Sequence, residues 1–212
     1  LDAWDSITYF GYNYLAGFVN GGSALSLELD LSTAQLYSDD FEGVAHGDLD
    51  SDGDVDLVVG LPGSGTGALA YFENTGTATD SVLTRRTGTD NPFDGISIGG
   101  AEPTPEIADV DGDGDLDLVV GKTGGTFGYI ENTGSATNPS FALRTSDSEN
   151  PFSGLNVGDN SAPAVGDVDG DGDLDLVSGE DTTGSTAHYA GILYYENTGD
   201  LTRTVQFVEA TD

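Results

Sequence analysis

The sequence predicts an all-β fold made of propeller-blade-like, four-stranded antiparallel repeats, with three blades in the chain and therefore an incomplete ring. Three observations support this prediction. An aspartate-rich segment recurs three times at a spacing of about sixty residues, short apolar runs bounded by Gly, Asn and Pro follow each copy, and no long amphipathic helical pattern occurs. Four short strands per sixty-residue unit are typical of propeller blades.

The aspartate-rich segments are the clearest repeat. They read DLDSDGDVDLVVG, DVDGDGDLDLVVG and DVDGDGDLDLVSG, and they begin at Asp48, Asp109 and Asp167, which are 61 and 58 residues apart. The motifs YFENTG, YIENTG and YYENTG follow after Gly-rich connections of unequal length. Loops of variable length between matched motifs indicate exposed hairpin connections.

A third motif completes the unit. RRTGTDNPFDG, ending at Gly95, matches LRTSDSENPFSG, ending at Gly154. Each unit is thus predicted to contain an opening strand, an Asn-Pro-Phe turn, a Pro-containing strand, the aspartate loop, an apolar strand and an aromatic strand. The apolar runs at residues 55–59 and 116–120 have the composition of buried strands rather than of a disordered acidic chain.

These motifs divide the chain into five parts. We expect a divergent N-terminal β segment at 1–40, repeats at 41–82, 83–141 and 142–205, and an orphan strand of a further repeat at 206–212. Leucines alternate with polar residues from Leu25 to Leu31, which predicts one half-buried strand. The aromatic cluster at residues 9–18 is interpreted either as part of a first, divergent sheet or as an interface that packs on another copy.

The charge balance excludes several classes of function. The chain has 38 acidic and 5 basic residues and a formal net charge of −33. Nucleic-acid binding requires stripes of Lys and Arg, and an anionic membrane surface would repel this chain, so we expect neither nucleic acid nor membrane insertion. The sequence contains no cysteine, which excludes disulfides and thiolate metal sites.

The aspartates have the spacing of a calcium loop. Ca²⁺ takes six to eight oxygen ligands, and short Asp side chains at alternate loop positions can point to one centre. Counting from the first aspartate, positions one, three, five, seven and nine are acidic in every copy, and position six is glycine, where the loop turns sharply. The predicted ligands are Asp48, Asp50, Asp52, Asp54, Asp56, Asp109, Asp111, Asp113, Asp115, Asp117, Asp167, Asp169, Asp171, Asp173 and Asp175.

The loops differ from an EF-hand at their ends. An EF-hand needs a bidentate Glu at position twelve and flanking helices, whereas that position holds Val59, Val120 and Ser178 within strand-like runs. We therefore expect about three Ca²⁺ ions, one for each loop, held between strands. Position seven is expected to offer its backbone carbonyl, with its carboxylate facing solvent or lying behind the ligands. Mg²⁺ is the weaker candidate because it retains its waters.

The combination of the aspartate loop, the trailing DLVVG and the YYENTG-type strand resembles the FG-GAP/VCBS repeats of integrin α-type calcium-binding propellers and of bacterial secreted or surface proteins. The resemblance covers about residues 40–212. It implies an extracellular or cell-surface location, one blade per repeat and calcium on the aspartates named above. Three blades cannot close a ring, since propellers have about four to eight. The chain is accordingly a fragment, an assembly of copies or a linear stack.

The sequence gives little support for catalysis. The two histidines, His46 and His188, are expected to be surface residues, and no nucleophile elbow is present. Glu73, Glu131 and Glu196 recur in the ENTG motif, which indicates one structural task performed three times, such as a hydrogen bond to backbone at the end of a hairpin. We therefore predict that the chain is not an enzyme.

The favoured function is a calcium-binding structural or adhesive module, including the case of a self-assembling filament subunit. A carbohydrate-binding, lectin-like propeller fragment is the alternative, and an accessory domain of a secreted enzyme is a weaker one. The expected partners are copies of the chain, added through the orphan strand at 206–212, and a surface glycan or protein ligand.

Overall fold

The computed structural model describes residues 4–10, 14–19, 24–27, 42–63, 67–180, 192–199 and 207–209. These residues form fifteen β-strands in four antiparallel sheets, together with one 3-10 turn at Gly88–Asp90. Within the same ranges, no helix is long and apolar enough to cross a lipid bilayer. The predicted all-β architecture of blade-like repeats is confirmed.

Three of the sheets have four strands each, and we call them blades 1, 2 and 3. Blade 1 contains β4 (Gly43–Gly47), β5 (Asp56–Leu61), β6 (Ala68–Asn74) and β7 (Leu83–Arg86). Blade 2 contains β8 (Thr104–Ala108), β9 (Asp117–Gly121), β10 (Phe127–Asn132) and β11 (Phe141–Arg144). Blade 3 contains β12 (Ser161–Gly166), β13 (Asp175–Glu180), β14 (Ile192–Asn197) and β15 (Phe207–Glu209).

Every blade is a simple meander in which each strand pairs with its neighbours in sequence. The aspartate loop joins the first and second strands, and the ENTG turn leads from the third strand to the fourth. In blades 1 and 2 the second strand is the most buried because it is covered on both faces, which explains its continuous apolar sequence. In β9, all five residues are buried.

The apolar cores lie between successive blades. Between blades 1 and 2, Val58, Leu69 and Tyr71 face Leu118 and Ile130. Between blades 2 and 3, a second cluster contains Val110, Val119, Phe127, Tyr129, Phe152, Val157, Leu176 and Tyr195. The three blades therefore stack in order along the chain. Each interface is formed by one face from each of the two neighbouring blades.

The opposite face of blade 1 is also buried. Leu57, Val59, Ala70 and Phe72 form a cluster on it, and each is at most 5% exposed. Alternation along the strands puts these residues on the side of the sheet away from blade 2. Both faces of blade 1 are therefore buried.

The fourth strand of each blade differs from the predicted order. The strands β7 and β11, expected to open the next repeat, pair with β6 and β10 of the preceding blade. In the same way β15 pairs with β14, with Phe207 opposite Asn197. Backbone hydrogen bonds thus join the described part of the expected orphan strand at 206–212 to blade 3, and its assignment to a further repeat stays a prediction. The boundaries at 82, 141 and 205 remain predictions about the repeating unit.

The N-terminal segment forms a separate sheet. It consists of β1 (Trp4–Phe10), β2 (Tyr14–Val19) and β3 (Ala24–Leu27), paired in that order. The strand predicted from the leucine alternation at 25–31 thus agrees with the structure up to Leu27. Residues 28–41 lie outside the described residues.

Candidate metal centres

Each aspartate loop connects the first strand of a blade to the second. In blade 1 the loop occupies residues 48–55, and Asp56, at position nine, is the first residue of β5. Asp117 and Asp175 are likewise the first residues of β9 and β13. The prediction that the loops are placed between strands rather than helices is confirmed.

Three carboxylates converge in every loop. Ligand atoms of the three aspartates lie within 4.8 Å of one another, and these groups are Asp48, Asp50 and Asp52; Asp109, Asp111 and Asp117; and Asp167, Asp169 and Asp175. Positions one and three thus take part in all three loops, joined by position five in the first and by position nine in the other two. Such groups can hold a metal ion because all their donors are hard carboxylate oxygens.

Backbone amides curl each loop around its first aspartate. The Asp48 carboxylate accepts hydrogen bonds from the amides of Asp52, at 3.0 Å, and Gly53, at 3.1 Å. Asp109 accepts a matching bond from the amide of Gly114, also at 3.1 Å. Gly53, Gly114 and Gly172 have φ values of 98°, 97° and 103°, a region that residues with a side chain rarely adopt. The sequence-based explanation of the glycine is therefore confirmed.

Position nine ties the loop to the body of the blade. In blade 1, Asp56 Oδ2 accepts hydrogen bonds from the amide of Leu49, at 3.3 Å, and from the hydroxyl of Tyr71, at 2.9 Å. Its Oδ1 accepts from the amide of Asn74, at 2.8 Å. One buried carboxylate therefore connects the start of the loop to two residues of β6.

The same three hydrogen bonds recur in the other blades. Asp117 accepts from the amide of Val110, the Tyr129 hydroxyl and the Asn132 amide, at 3.1, 2.9 and 2.8 Å. Asp175 accepts from the Val168 amide, the Tyr194 hydroxyl and the Asn197 amide, at 3.0, 3.0 and 2.9 Å. Position nine is thus a fixed structural support as well as a member of two of the three carboxylate groups.

Of the two placements expected for the carboxylate at position seven, the solvent-facing one is excluded for Asp54 and Asp115. Asp54 and Asp115 are each only 7% exposed, so their carboxylates do not face solvent. Both residues, and Asp173 in the third loop, keep one buried carboxylate oxygen without a hydrogen-bond partner. Their backbone amides bond to the carboxylates of Asp52, Asp113 and Asp171 at position five. Burying an oxygen without a hydrogen-bond partner is unfavourable in free energy. A cation or a hydrogen-bond donor at this point of each loop would therefore stabilise it.

The electrostatics of the loops favour uptake of positive charge. Burial raises the pKa of Asp56 to about 6 and that of Asp117 to about 7, although hydrogen bonds from backbone and tyrosine act against the shift. Burial, followed by the neighbouring carboxylates, raises the pKa of Asp54 and Asp115. For Asp173, burial, a hydrogen bond shared with Asp171 and adjacent charges raise the pKa to about 6. Without a cation, the loops therefore favour protons.

Two sets of residues near the loops are missing from the sequence-based site. The tyrosine of each YxEN motif supports position nine, and the following asparagine closes the turn: the Asn74 side-chain oxygen accepts from the amides of Gly76 and Val82, at 3.1 and 2.9 Å. The fixed three-residue spacing of Tyr and Asn in all three motifs is the sequence signal that could have identified these residues.

Two of the repeated glutamates, Glu73 and Glu131, have a structural role in which the partner is an arginine rather than backbone. Glu73 forms a bidentate ion pair with Arg86, at 2.7 and 2.9 Å, and Glu131 pairs with Arg144 at 2.7 and 2.8 Å. Each pair links the third strand of a blade to the fourth. His46 is exposed, as expected, and His188 lies outside the described residues.

Comparison with known proteins gives one family. A model described as an FG-GAP-like repeat matches residues 48–120 and again residues 109–178. The two matches together cover more than half of the chain, and each extends from one aspartate loop to the strand that follows the next. No curated protein and no solved structure matches the chain significantly.

Proposed function

The chain belongs to the FG-GAP-like repeat family, and from this premise we propose that it is a calcium-stabilised structural or adhesive module with one Ca²⁺ in each aspartate loop. FG-GAP-like repeats are generally non-catalytic, propeller-like modules that typically bind divalent cations. The finer assignment to calcium rests on the donor set of the loops. All the side chains offered are carboxylates, as Ca²⁺ prefers.

The observation that carries the proposal is the buried, unpartnered oxygen of Asp54, Asp115 and Asp173, next to three convergent carboxylates in every loop. A divalent cation would offset the unfavourable free energy of this arrangement, because it neutralises the negative charge of the convergent and buried carboxylates. The residues that would hold it are the aspartates at positions one, three, five and nine. Position seven adds its backbone carbonyl, and its carboxylate lies behind the ligands.

Bound calcium would hold together three strands of each blade. Position one directly follows the first strand, and position nine begins the second. The tyrosine and asparagine that donate hydrogen bonds to position nine belong to the third strand. An ion at the loop therefore fixes the relative position of three strands. Removing the ion returns mutual repulsion to five aspartates within nine residues.

The stabilisation can be bracketed. Extracellular calcium modules bind with Kd values of about 10⁻⁴ to 10⁻³ M. At about 10 mM Ca²⁺, binding to the folded state alone contributes about 1.4 to 2.7 kcal/mol per site, or about 4 to 8 kcal/mol for three sites. For a chain of this size, that corresponds to a rise in melting temperature of more than about 10 °C.

Thermal unfolding with and without a chelator tests the proposal. We expect the melting temperature to rise steeply with Ca²⁺ and less with equal Mg²⁺, and to fall when chelator is added. The matched control is a variant in which Asp48, Asp109 and Asp167 are replaced by Asn, which should lose most of the response. A melting temperature that is the same in calcium and in chelator would contradict the proposal.

The location and partners are also proposed. FG-GAP-like repeats usually occur in extracellular or surface proteins, and millimolar extracellular calcium suits sites of the affinity given above. A glycan or protein ligand and copies of the chain remain the proposed partners. Sedimentation with and without calcium tests self-association, and a monomer at all concentrations in calcium would contradict it.

A further inference from the structure

The face of blade 3 that points away from blade 2 is the repeat equivalent of two faces that are covered. Aligning the aspartate loops and the YxEN motifs places Ile192 where Leu69 and Phe127 lie in blades 1 and 2. Leu69 and Phe127 are 5% and 4% exposed because the next blade covers them, whereas Ile192 is 77% exposed.

A second position on this face gives the same result. Val168 is equivalent to Leu49 and Val110, which are 2% and 6% exposed in the two interblade cores. Val168 itself is 57% exposed. Of the three large apolar side chains that are exposed in the described part of the chain, two therefore lie on this one face.

A glycine on the second strand marks where the neighbouring blade makes its closest approach. A Cβ atom at Gly60 would clash with the carbonyl oxygen of Pro103, just before blade 2, and a Cβ atom at Gly121 would clash with that of Ser161 in blade 3. The equivalent residue of blade 3 is Gly179, where a Cβ atom would meet nothing within 4 Å. Blade 3 thus keeps a glycine suited to a close backbone contact that nothing in the structure makes.

The element that covers each filled face is also defined. The phenylalanine of the Asn-Pro-Phe turn before the next blade packs edge-on against the supporting tyrosine. The ring centroids of Phe93 and Tyr71 are 6.1 Å apart, and those of Phe152 and Tyr129 are 6.0 Å apart. Tyr194 makes the same hydrogen bond to its aspartate, but no ring among the described residues packs on it in this way.

We propose that this open face, formed by Val168, Val177, Gly179, Ile192 and Tyr194, is a docking surface for a further FG-GAP-like blade that enters with an Asn-Pro-Phe turn. The occupant follows from continuity with the two interfaces present, in which the same positions receive such a blade. The face of blade 1 that would lead a second copy into head-to-tail contact is already buried, which disfavours a copy of the whole chain. The proposal extends the structural role above but does not depend on calcium.

Because the sequence contains no cysteine, a single cysteine introduced on this face can be labelled selectively. Ile192→Cys places a single thiol on it, and Val82→Cys, at an apolar residue that is 54% exposed elsewhere, is the matched control. Each variant is made in the full chain and in a chain extended after residue 210 by a copy of residues 145–210. Residue 210 corresponds to Arg144 when Phe207 is aligned with Phe141, so the added segment supplies the turn and four strands in register.

We expect the extension to slow labelling of the cysteine at 192 at least tenfold and to leave labelling at 82 unchanged. A Phe→Ala change at the copied Phe152 in the added segment should restore most of the reactivity at 192, because it removes the ring that packs on Tyr194. Resistance of the added segment to a protease reports its folding without reference to calcium, so a failure here is separate from a failure of the metal assignment.

Equal reactivity at 192 in both chains would overturn the proposal, whether the added segment is protease-resistant or degraded. Protection at 192 in the unextended chain that disappears on dilution would also overturn it, because a second copy would then be the occupant. Protection at both 192 and 82 would indicate general shielding and would likewise count against a docked blade.

Discussion

Position nine of the aspartate loop combines two demands on one side chain. In the second and third loops its carboxylate converges with those of positions one and three, an arrangement that can hold a metal ion. In all three loops it accepts three hydrogen bonds that hold the loop against the third strand. The tyrosine that donates to it lies in the interblade core of blades 1 and 2. The hydrogen bond from this tyrosine to the aspartate at position nine therefore connects the candidate metal site to the core between the blades.

Removing that hydrogen bond at one loop should weaken one site. Tyr129→Phe keeps the ring against Phe152 but leaves Asp117 without the hydroxyl. Because groups that orient metal ligands are commonly worth 10- to 100-fold in affinity, we expect about a tenfold loss of calcium affinity at the second site only. Calcium titration resolves this, with the first and third sites as internal controls. Unchanged affinity at all three sites would show that Tyr129 is only a packing residue.

The buried aspartate at position seven should have opposite effects in the two metal states. Asp115→Asn removes a charge that has an unpartnered, buried oxygen. We expect the metal-free protein to gain about 1 kcal/mol or more of stability and the calcium-saturated protein to lose stability. Urea unfolding in chelator and in calcium measures both, with exposed Asp113→Asn as the comparison. The same sign of change in both conditions for Asp115→Asn would contradict the account.

The ion pairs between the third and fourth strands act at the scale of the element. In blades 1 and 2 the arginine is the last residue of the fourth strand. Its guanidinium donates two hydrogen bonds to the glutamate of the neighbouring strand. The side chains are about a quarter to a third exposed. Such pairs hold the outer strand in register, and because solvent screens them, each contributes a modest free energy.

Breaking one pair should give a small loss of stability that depends on pH. The Arg86 hydrogen bonds hold the pKa of Glu73 below its usual value of 4.5, so the stabilisation is present above that pH and is lost as the pH falls through the lower folded value. We expect Arg86→Ala to cost about 0.5 to 1 kcal/mol at pH 7, and less at 0.5 M salt. A double-mutant cycle with Glu73→Ala measures the coupling, and zero coupling at low salt would contradict it.

At the same scale, the sequence predicted some elements better than others. The periodic apolar runs placed β5 and β9 correctly, and the loop aspartates and glycines were found because their spacing alone defines the turn. The assignment of β7, β11 and β15 could not be made locally, since the same short strand can pair with the blade before it or after it. The partner of Glu73 and the burial of Asp54 depend on strand register and packing, which no single segment encodes.

For the whole molecule, the dominant feature is the excess of negative charge, part of which is buried at positions seven and nine of the loops. In the metal-free state, Asp54, Asp56, Asp115 and Asp117 have raised pKa values because burial disfavours their charged form. A proton and a bound calcium ion would therefore be alternative ways of neutralising the same groups. The stability of the chain should therefore depend on pH in opposite senses with and without calcium.

This dependence can be given a sign and a window. The folded pKa values of Asp56 and Asp117, about 6 and about 7, lie above the ordinary value of 3.8. Their contribution to stability is then fully present below about pH 4 and is lost as the pH rises through 6 to 7. In chelator, we expect the melting temperature to be higher at pH 5 than at pH 7.5, and in saturating calcium the order should reverse. The same order in both solutions would contradict this.

The number of calcium ions bound by the folded chain is the most direct test of the central claim. Calorimetric titration of metal-free protein at pH 7.5, with magnesium present as competitor, should give three calcium ions per chain and release protons on binding. Replacing Asp111 by Ala should reduce the number to two. If the folded protein binds no calcium under these conditions, or if the number does not change in that variant, the loops are not the metal centres described above.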